Sequence, residues 1–241
     1  MAHSPTTTFV LIPGAWHGAW AWTPVAGRLR AAGHRTVSLT LPGLDGDRDP
    51  AGLRLEDAVD FVVAEIERRD LGDVTLVAHS WGGYPMTGAA HRLKERLSKI
   101  VYYNAMVPAR GVSARDELAG NGPAAARDTA IRSTPAAWLP PLDIVQKTLI
   151  QDEPEPVQRL LWELLQPQPA QYGVGSLDLP DVTTLGVPLA YILSENDRGL
   201  GRPGAGADFA RRLGVDPVLV PGTHESLLTH PGELAQALLG P

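Results

Sequence analysis

The sequence predicts an α/β fold, a mostly parallel sheet of about six strands with helices on both faces. Short continuous apolar runs, each the length of a buried strand, alternate with longer segments whose apolar residues recur at three-four spacing. The connections between them are short, as in chains whose strands return parallel to one another through helices. Within the stretch Val74 to Gly83, an apolar run stops at Ser80 and small residues follow at once. A buried strand reads this way when it turns sharply into a helix and lifts one side chain out at the bend.

Phe9 to Ile12, closed by Pro13-Gly14, is the first strand. After the loop Gly14 to Trp20, Thr23 reads as a helix N-cap with Pro24 at the first helical position, and Gly33 ends that helix. Thr36 to Thr40 is the second strand, and a Gly/Asp/Pro-rich loop runs to Gly52. Leu55, Val59, Val62, Val63 and Ile66 give the next helix its apolar face. Gly72-Asp73 turns into the strand Val74 to Ala78, a helix follows from Trp81 to about Lys94, and Ile100 to Tyr103 is the fourth strand.

The rhythm breaks between Pro108 and Pro180, where prolines, Ala/Gly tracts and two helix-like pieces collect, Ile144 to Ile150 and Val157 to Leu165. The spacing of Val157, Leu160, Leu161, Leu164 and Leu165 favours a helical cap over one end of the sheet rather than a disordered insertion. Pro108 to Gly111 and Gly173 to Pro180 read as its linkers. The alternation then resumes. Pro188 to Leu193 is a strand, Phe209 to Leu213 belongs to a helix stopped by Gly214, Pro217 to Val220 is the last strand, and Pro231 opens a final helix, Glu233 to Leu239. The expectation is one domain, with a core of 1–107 and 181–241 and a cap insertion of 108–180.

Composition narrows the function. Of the 241 residues, 44% are hydrophobic, enough for a full core. The net charge is −6, and Arg68-Arg69 and Arg211-Arg212 are isolated pairs, so no nucleic-acid partner is expected. With no cysteine, disulfides, thiolate-bound zinc and thiol catalysis are excluded. Met1 to Thr8 is polar, and the apolar piece after it is too short for a secretory core or a membrane span, so a cytoplasmic protein without a membrane partner is expected. Asp45, Asp47 and Asp49 alternate, with Glu56 placed as in a calcium loop. However, Pro50 stands where the sharp turn needs glycine, so no metal is expected.

Ala78-His79-Ser80-Trp81-Gly82 fits the G-x-S-x-G pattern with alanine first, and Ser80 is the candidate nucleophile. A serine hydroxyl needs a base, and the base needs an orienting acid. Of seven histidines, His3, His34 and His91 read as solvated, His79 should point away from Ser80 into the sheet packing, and His17 reads as a structural donor that could line the pocket. His224, in the loop after the last strand, is preferred as base over His230, which reads as the entry to the last helix. Asp197, in the turn after the strand ending at Leu193, is the preferred acid, with Glu195 in reserve. The backbone N–H groups of Trp81 and Ala15 are the expected oxyanion donors. Trp16, His17, Met106, Trp138, Leu139 and Trp162 are candidate pocket residues for an apolar or aromatic group.

With these residues in place, the chain resembles the α/β-hydrolase superfamily over essentially its full length. The order Ser80, Asp197, His224 is the superfamily's order of serine, acid, histidine. Pro13-Gly14-Ala15-Trp16-His17-Gly18-Ala19-Trp20, Ala78 to Gly83 and Thr223-His224-Glu225 are similar to the plant methyl-ester hydrolase and hydroxynitrile lyase group and its bacterial relatives. Proline stands at Pro13, where the family usually has histidine. The resemblance implies a serine hydrolase that cleaves a carboxylic ester or lactone of a small molecule through an acyl-enzyme, with no cofactor. The group's lyases resemble each other in a threonine and a lysine where this chain has Gly14 and Glu225. A lyase holds departing cyanide with a cation, and Glu225 has the opposite sign. A thioesterase, a C–C hydrolase, a lyase- or cyclase-like enzyme and a ligand-binding protein of this fold are the alternatives. The oligomeric state is left open, a homodimer among the expectations.

Overall fold

The computed structural model describes residues 6–46, 49–119 and 136–240, so His3, Asp47 and 120–135 of the central segment lie outside the described residues. The chain runs β1 (Thr8–Ile12), α1 (Thr23–Ala31), β2 (Arg35–Ser38), α2 (Leu55–Arg68), β3 (Val74–His79), α3 (Gly83–Leu93) and β4 (Leu97–Tyr103). The central segment contributes α4 (Ala114–Ala119), β5 (Ala137–Trp138), α5 (Leu142–Thr148), α6 (Glu155–Leu164) and β6 (Gln168–Pro169). The chain closes with β7 (Leu189–Ser194), α7 (Ala205–Arg212), β8 (Val218–Val220), α8 (Ser226–Thr229) and α9 (Pro231–Leu239).

Strand alternation builds two cores from one sheet. Val10 and Ile12 of β1, Leu76 and Ala78 of β3 and Ile100 and Tyr102 of β4 pack with Leu55, Val59, Val62 and Ile66 of α2. Phe9 and Leu11, Val77, and Val101 and Tyr103 face the other way, onto Val25 and Leu29 of α1 and Leu234 and Leu238 of α9. The six-stranded sheet has the order β2-β1-β3-β4-β7-β8, and all its pairings are parallel. This is the fold class expected from the sequence. No helix among the described residues is long and apolar enough to cross a membrane.

The differences are local. Thr23 is not the N-cap of α1: a 3-10 turn, Ala19–Trp22, feeds straight into the helix, and Trp22 takes the N-cap position with its side chain buried. β2 stops at Ser38, and Thr40 instead uses its hydroxyl to accept from the Ala19 amide at 2.9 Å. The sequence showed no strand at β5 or β6, which pair antiparallel through two residues each, too few to carry a period. The apolar spacing on α6 misled in part. Leu161 and Leu165 are buried among Leu139, Val145, Leu149 and Ile150, but Val157, Leu160 and Leu164 are 40%, 56% and 46% exposed.

Close approach fixes two glycines after β3. A Cβ at Gly82 would stand 2.4 Å from the Pro13 carbonyl oxygen, and one at Gly83 only 2.0 Å from that of Met106. Both obstacles are backbone, so they do not yield as a side chain does. Gly83→Ala is expected to destabilise the protein by about 1–3 kcal/mol or more. That lowers Tm by roughly 2–4 °C per kcal/mol in a chain of this size. Gly27→Ala, in α1 with no atom of the described residues within 4 Å of the added carbon, is the control and should be neutral or stabilising. Calorimetry showing equal Tm for both variants would disprove the close-approach account.

Candidate active site

In a parallel sheet, ligands gather beyond the carboxyl ends of the strands where the strand order reverses. Here the chain leaves β1 for β2 on one side and returns to β3 on the other, so the reversal lies at the ends of β1 and β3. Those two ends carry Ala15 and Ser80. Ser80 sits in the left-handed region at φ 55, between the extended His79 and the 3-10 turn Ser80–Gly82 that leads into α3. Such a conformation is costly for a residue with a Cβ. It is held in place from both sides: Ala78 is fully buried, and the Ser80 carbonyl accepts from the Met106 amide at 3.1 Å.

His224 Nε2 lies 2.9 Å from Ser80 Oγ, and His224 Nδ1 lies 3.0 Å from Asp197 Oδ1. An ionised carboxylate only accepts, so Nδ1 carries the hydrogen and Nε2 is free to accept from the serine hydroxyl. Burial alone would lower the basicity of His224, but the Asp197 carboxylate, helped by Glu225, holds its pKa above the ordinary histidine value. Asp197 Oδ1 is itself fixed by the Gly199 amide at 2.7 Å. Glu195 is exposed, its amide spent on the Val220 carbonyl, and His230 pairs with Thr229 Oγ1 at 2.9 Å. Neither is among the partners of Ser80 or His224.

The backbone of His224 is anchored as firmly as its ring. Its carbonyl accepts from His79 Nε2 at 3.1 Å, Asn104 Nδ2 at 3.2 Å and the Tyr103 hydroxyl at 3.3 Å. Asn104 also accepts from the Ser194 amide at 2.7 Å, tying the end of β4 to the end of β7. His79 is fully buried, its pKa pushed well below the ordinary value by burial and by His224 beside it. Sequence reasoning missed Asn104 and Gly199. An asparagine at φ 41 after a strand is a weak signal, and the lack of room at Gly199, where a Cβ would stand 2.4 Å from His224 Cγ, needs coordinates.

A cavity of about 220 Å³ opens beside Ser80. Ala15, Trp16, Trp81, Met106, Leu118, Trp138, Leu149 and Leu200 form most of its wall, with Gln168 and Arg115 among its polar lining. Trp138 meets Trp16 edge-on at 4.9 Å. Three of the expected pocket residues lie elsewhere. His17 is buried behind the first loop, its Nδ1 2.7 Å from the Ala15 carbonyl. Leu139 belongs to the core of the central segment, and Trp162 packs against that core while donating to the Pro140 carbonyl at 3.0 Å. Polar bonding or local packing claims all three.

His79, His224 and Glu225 are the described residues whose donor atoms lie close enough to hold a metal ion together, within 4.8 Å. A metal there would compete for a histidine whose two ring nitrogens already face Ser80 and Asp197. Ala15 and Trp81 line the cavity with Ser80. The set can generate a nucleophilic oxygen, carry its proton and present backbone donors beside it.

Residues 9–237 match the family model described as the alpha/beta hydrolase family. The chain is similar to a carbendazim hydrolyzing esterase of Nocardioides sp. (strain SG-4G), 41% identical over 107 residues, a match that spans only 44% of either protein. It is 30% identical over 194 residues to methyl jasmonate esterase 1 of Vitis vinifera, covering 78% of this chain and 69% of that one. Among solved structures, an extracellular alpha/beta-hydrolase from a Paenibacillus species superposes with a TM-score of 0.88 at 25% identity, over 97% of this chain and 98% of the other. That protein is described as sharing structural and functional homology with tobacco salicylic acid binding protein 2.

Proposed function

Because the chain belongs to the alpha/beta hydrolase family, we propose that it is a carboxylic ester hydrolase acting through an acyl-enzyme on Ser80. The observation that carries this reading is the unbroken line from Ser80 Oγ through His224 to Asp197, at 2.9 and 3.0 Å. Ser80 Oγ attacks the ester carbonyl carbon as its proton passes to His224 Nε2. The carbonyl oxygen becomes an oxyanion, met by the N–H groups of Ala15 and Trp81. The tetrahedral species collapses, the C–O bond to the alcohol breaks, and His224 returns the proton to that departing oxygen. Water, deprotonated by His224, then attacks the acyl-enzyme and releases the acid and Ser80.

The segment between β4 and β7 is read as a cap that shapes the substrate cavity. Leu118, Trp138, Leu149 and Gln168, which line the cavity with Ser80, all come from it. Their mainly apolar character suits a small apolar or aromatic ester or lactone, with Arg115 available to an acceptor group on it. Relatives named for carbendazim and methyl jasmonate support small-molecule esters as the substrate class. The lyase alternative loses ground at Gly14, where a Cβ would stand 2.8 Å from Ser80 Cβ and 2.9 Å from His79 Nδ1. No threonine enters there without displacing the nucleophile.

A fluorophosphonate probe tests the reading directly. Ser80 Oγ should displace fluoride and form a P–O bond, adding the phosphonyl mass to the peptide that contains Ser80. Alcohol and acid should both be released from a panel of small esters. A chain that neither labels at Ser80 nor turns over any ester, thioester or cyanohydrin is a ligand-binding protein instead.

A further inference from the structure

Glu225 is fully buried, and neither of its carboxylate oxygens has a hydrogen-bond partner among the described residues. No step described above uses it. His17 Nε2 faces it, 3.4 Å from Oε2. The other ring nitrogen of His17 lies 2.7 Å from the Ala15 carbonyl oxygen. A carbonyl only accepts, so Nδ1 carries a hydrogen. Were His17 neutral, Nε2 would turn its lone pair toward a buried carboxylate, and neither group would be satisfied. A hydrogen on Nε2 removes the conflict and leaves neither buried charge alone. The other titratable neighbours have their protons committed. His79 Nε2 and the Tyr103 hydroxyl donate to the His224 carbonyl, and His224 Nδ1 donates to Asp197.

We propose that Glu225 and His17 form a buried carboxylate–imidazolium pair, a positioning device that fastens the loop carrying Ala15 to the loop carrying His224. The protonation state stands on the Nδ1 hydrogen bond and the 3.4 Å Nε2–carboxylate contact, whereas the positioning role rests on the acyl-transfer reading. Through the Ala15 carbonyl, the imidazolium fixes the Ala15–Trp16 peptide, directly after the amide assigned to the oxyanion. The same peptide is held from its other side, where Trp16, at φ 67, donates its N–H to Gln168 Oε1 at 3.3 Å. On the far side of the pair, the Glu225 anion faces His224 and favours its charged form as it takes the proton from Ser80. Burial would raise the Glu225 carboxyl, but His17 beside it brings it down to about 2. Asp197, hydrogen-bonded to His224 Nδ1, is the other anion that acts on the base among the described residues.

Nitrogen-15 NMR of histidine-labelled protein tests the pair itself. Near neutral pH, His17 in the wild type should show both ring nitrogens protonated, and Glu225→Gln should convert it to the neutral form with hydrogen on Nδ1 alone. A neutral His17 in the wild type overturns the pair, whatever the variants do. Steady-state hydrolysis of 4-nitrophenyl butyrate tests the positioning role. Glu225→Gln and His17→Gln should lower kcat by about 10–100-fold, below the 10²–10³ that follows loss of a whole oxyanion donor, with little change in KM. Glu225→Gln should also move the acid limb of kcat/KM to lower pH, because His224 loses an anion, and Glu225→Asp should recover part of kcat. Unchanged kcat with an unmoved limb refutes positioning and leaves ester hydrolysis standing. No turnover by the wild type overturns the ester reading and the positioning role with it, while the NMR result still decides the pair.

Discussion

Ser80→Ala is expected to lower ester turnover on the order of 10⁴–10⁶-fold while leaving the fold and the cavity intact. The variant removes the oxygen that His224 Nε2 meets at 2.9 Å, and no other hydroxyl is hydrogen-bonded to that nitrogen among the described residues. Alanine keeps the Cβ, so the left-handed backbone at φ 55 carries the same strain as before. Tm should therefore move little, and a loss of activity cannot be put down to unfolding. The residual rate comes from the backbone donors and from substrate positioning, which the substitution leaves in place. Fluorophosphonate labelling at position 80 should vanish in parallel. Turnover within about tenfold of the wild type, measured on the ester the wild type cleaves best, would remove Ser80 from the nucleophile's role.

Asp197→Asn is expected to cost about 10³–10⁴-fold in kcat, and the geometry says how. Asp197 Oδ1 accepts from both His224 Nδ1 and the Gly199 amide, while Oδ2 is buried with no hydrogen-bond partner among the described residues. An asparagine that keeps its oxygen at the Oδ1 position preserves both bonds but buries an NH₂ at the Oδ2 position, where its hydrogens need acceptors. The flipped amide points hydrogens at two donors and forces His224 into the tautomer that cannot accept from Ser80. Either arrangement also removes the negative charge. Burial lowers the pKa of His224 and the Asp197 carboxylate raises it, so the acid limb of the kcat/KM profile should move to lower pH in the variant. The base would be free over a wider pH range but a weaker proton acceptor. A pH–rate profile whose limb stays in place, with kcat near that of the wild type, would show that Asp197 does not orient the base.

The elements with a strong period were legible in the chain itself. β1, β3 and β4 are short apolar runs whose alternate residues serve two cores, and α2 spaces Leu55, Val59, Val62 and Ile66 along one face. The elements that were missed, β5, β6, α4 and α8, are too short to show a period, and they owe their conformation to what they pack against. On α6 the spacing was real but three of its five spaced apolar residues, Val157, Leu160 and Leu164, are exposed, because periodicity reports an apolar face and not whether anything covers it.

The sequence by itself determined the sheet-and-helix order, the bend at Ser80, and the loops after the strands in which an acid and a histidine could meet it. These are local matters of pattern, turn residues and chain order. Only the tertiary structure decided that Asp197 rather than Glu195 faces His224, that His17 turns away from the cavity toward Glu225, and that Asn104, Tyr103 and His79 converge on the His224 carbonyl. Hydrogen bonds join residues as much as 152 positions apart, as between Trp16 and Gln168, and no local pattern encodes which donor will find which acceptor once the loops are packed together.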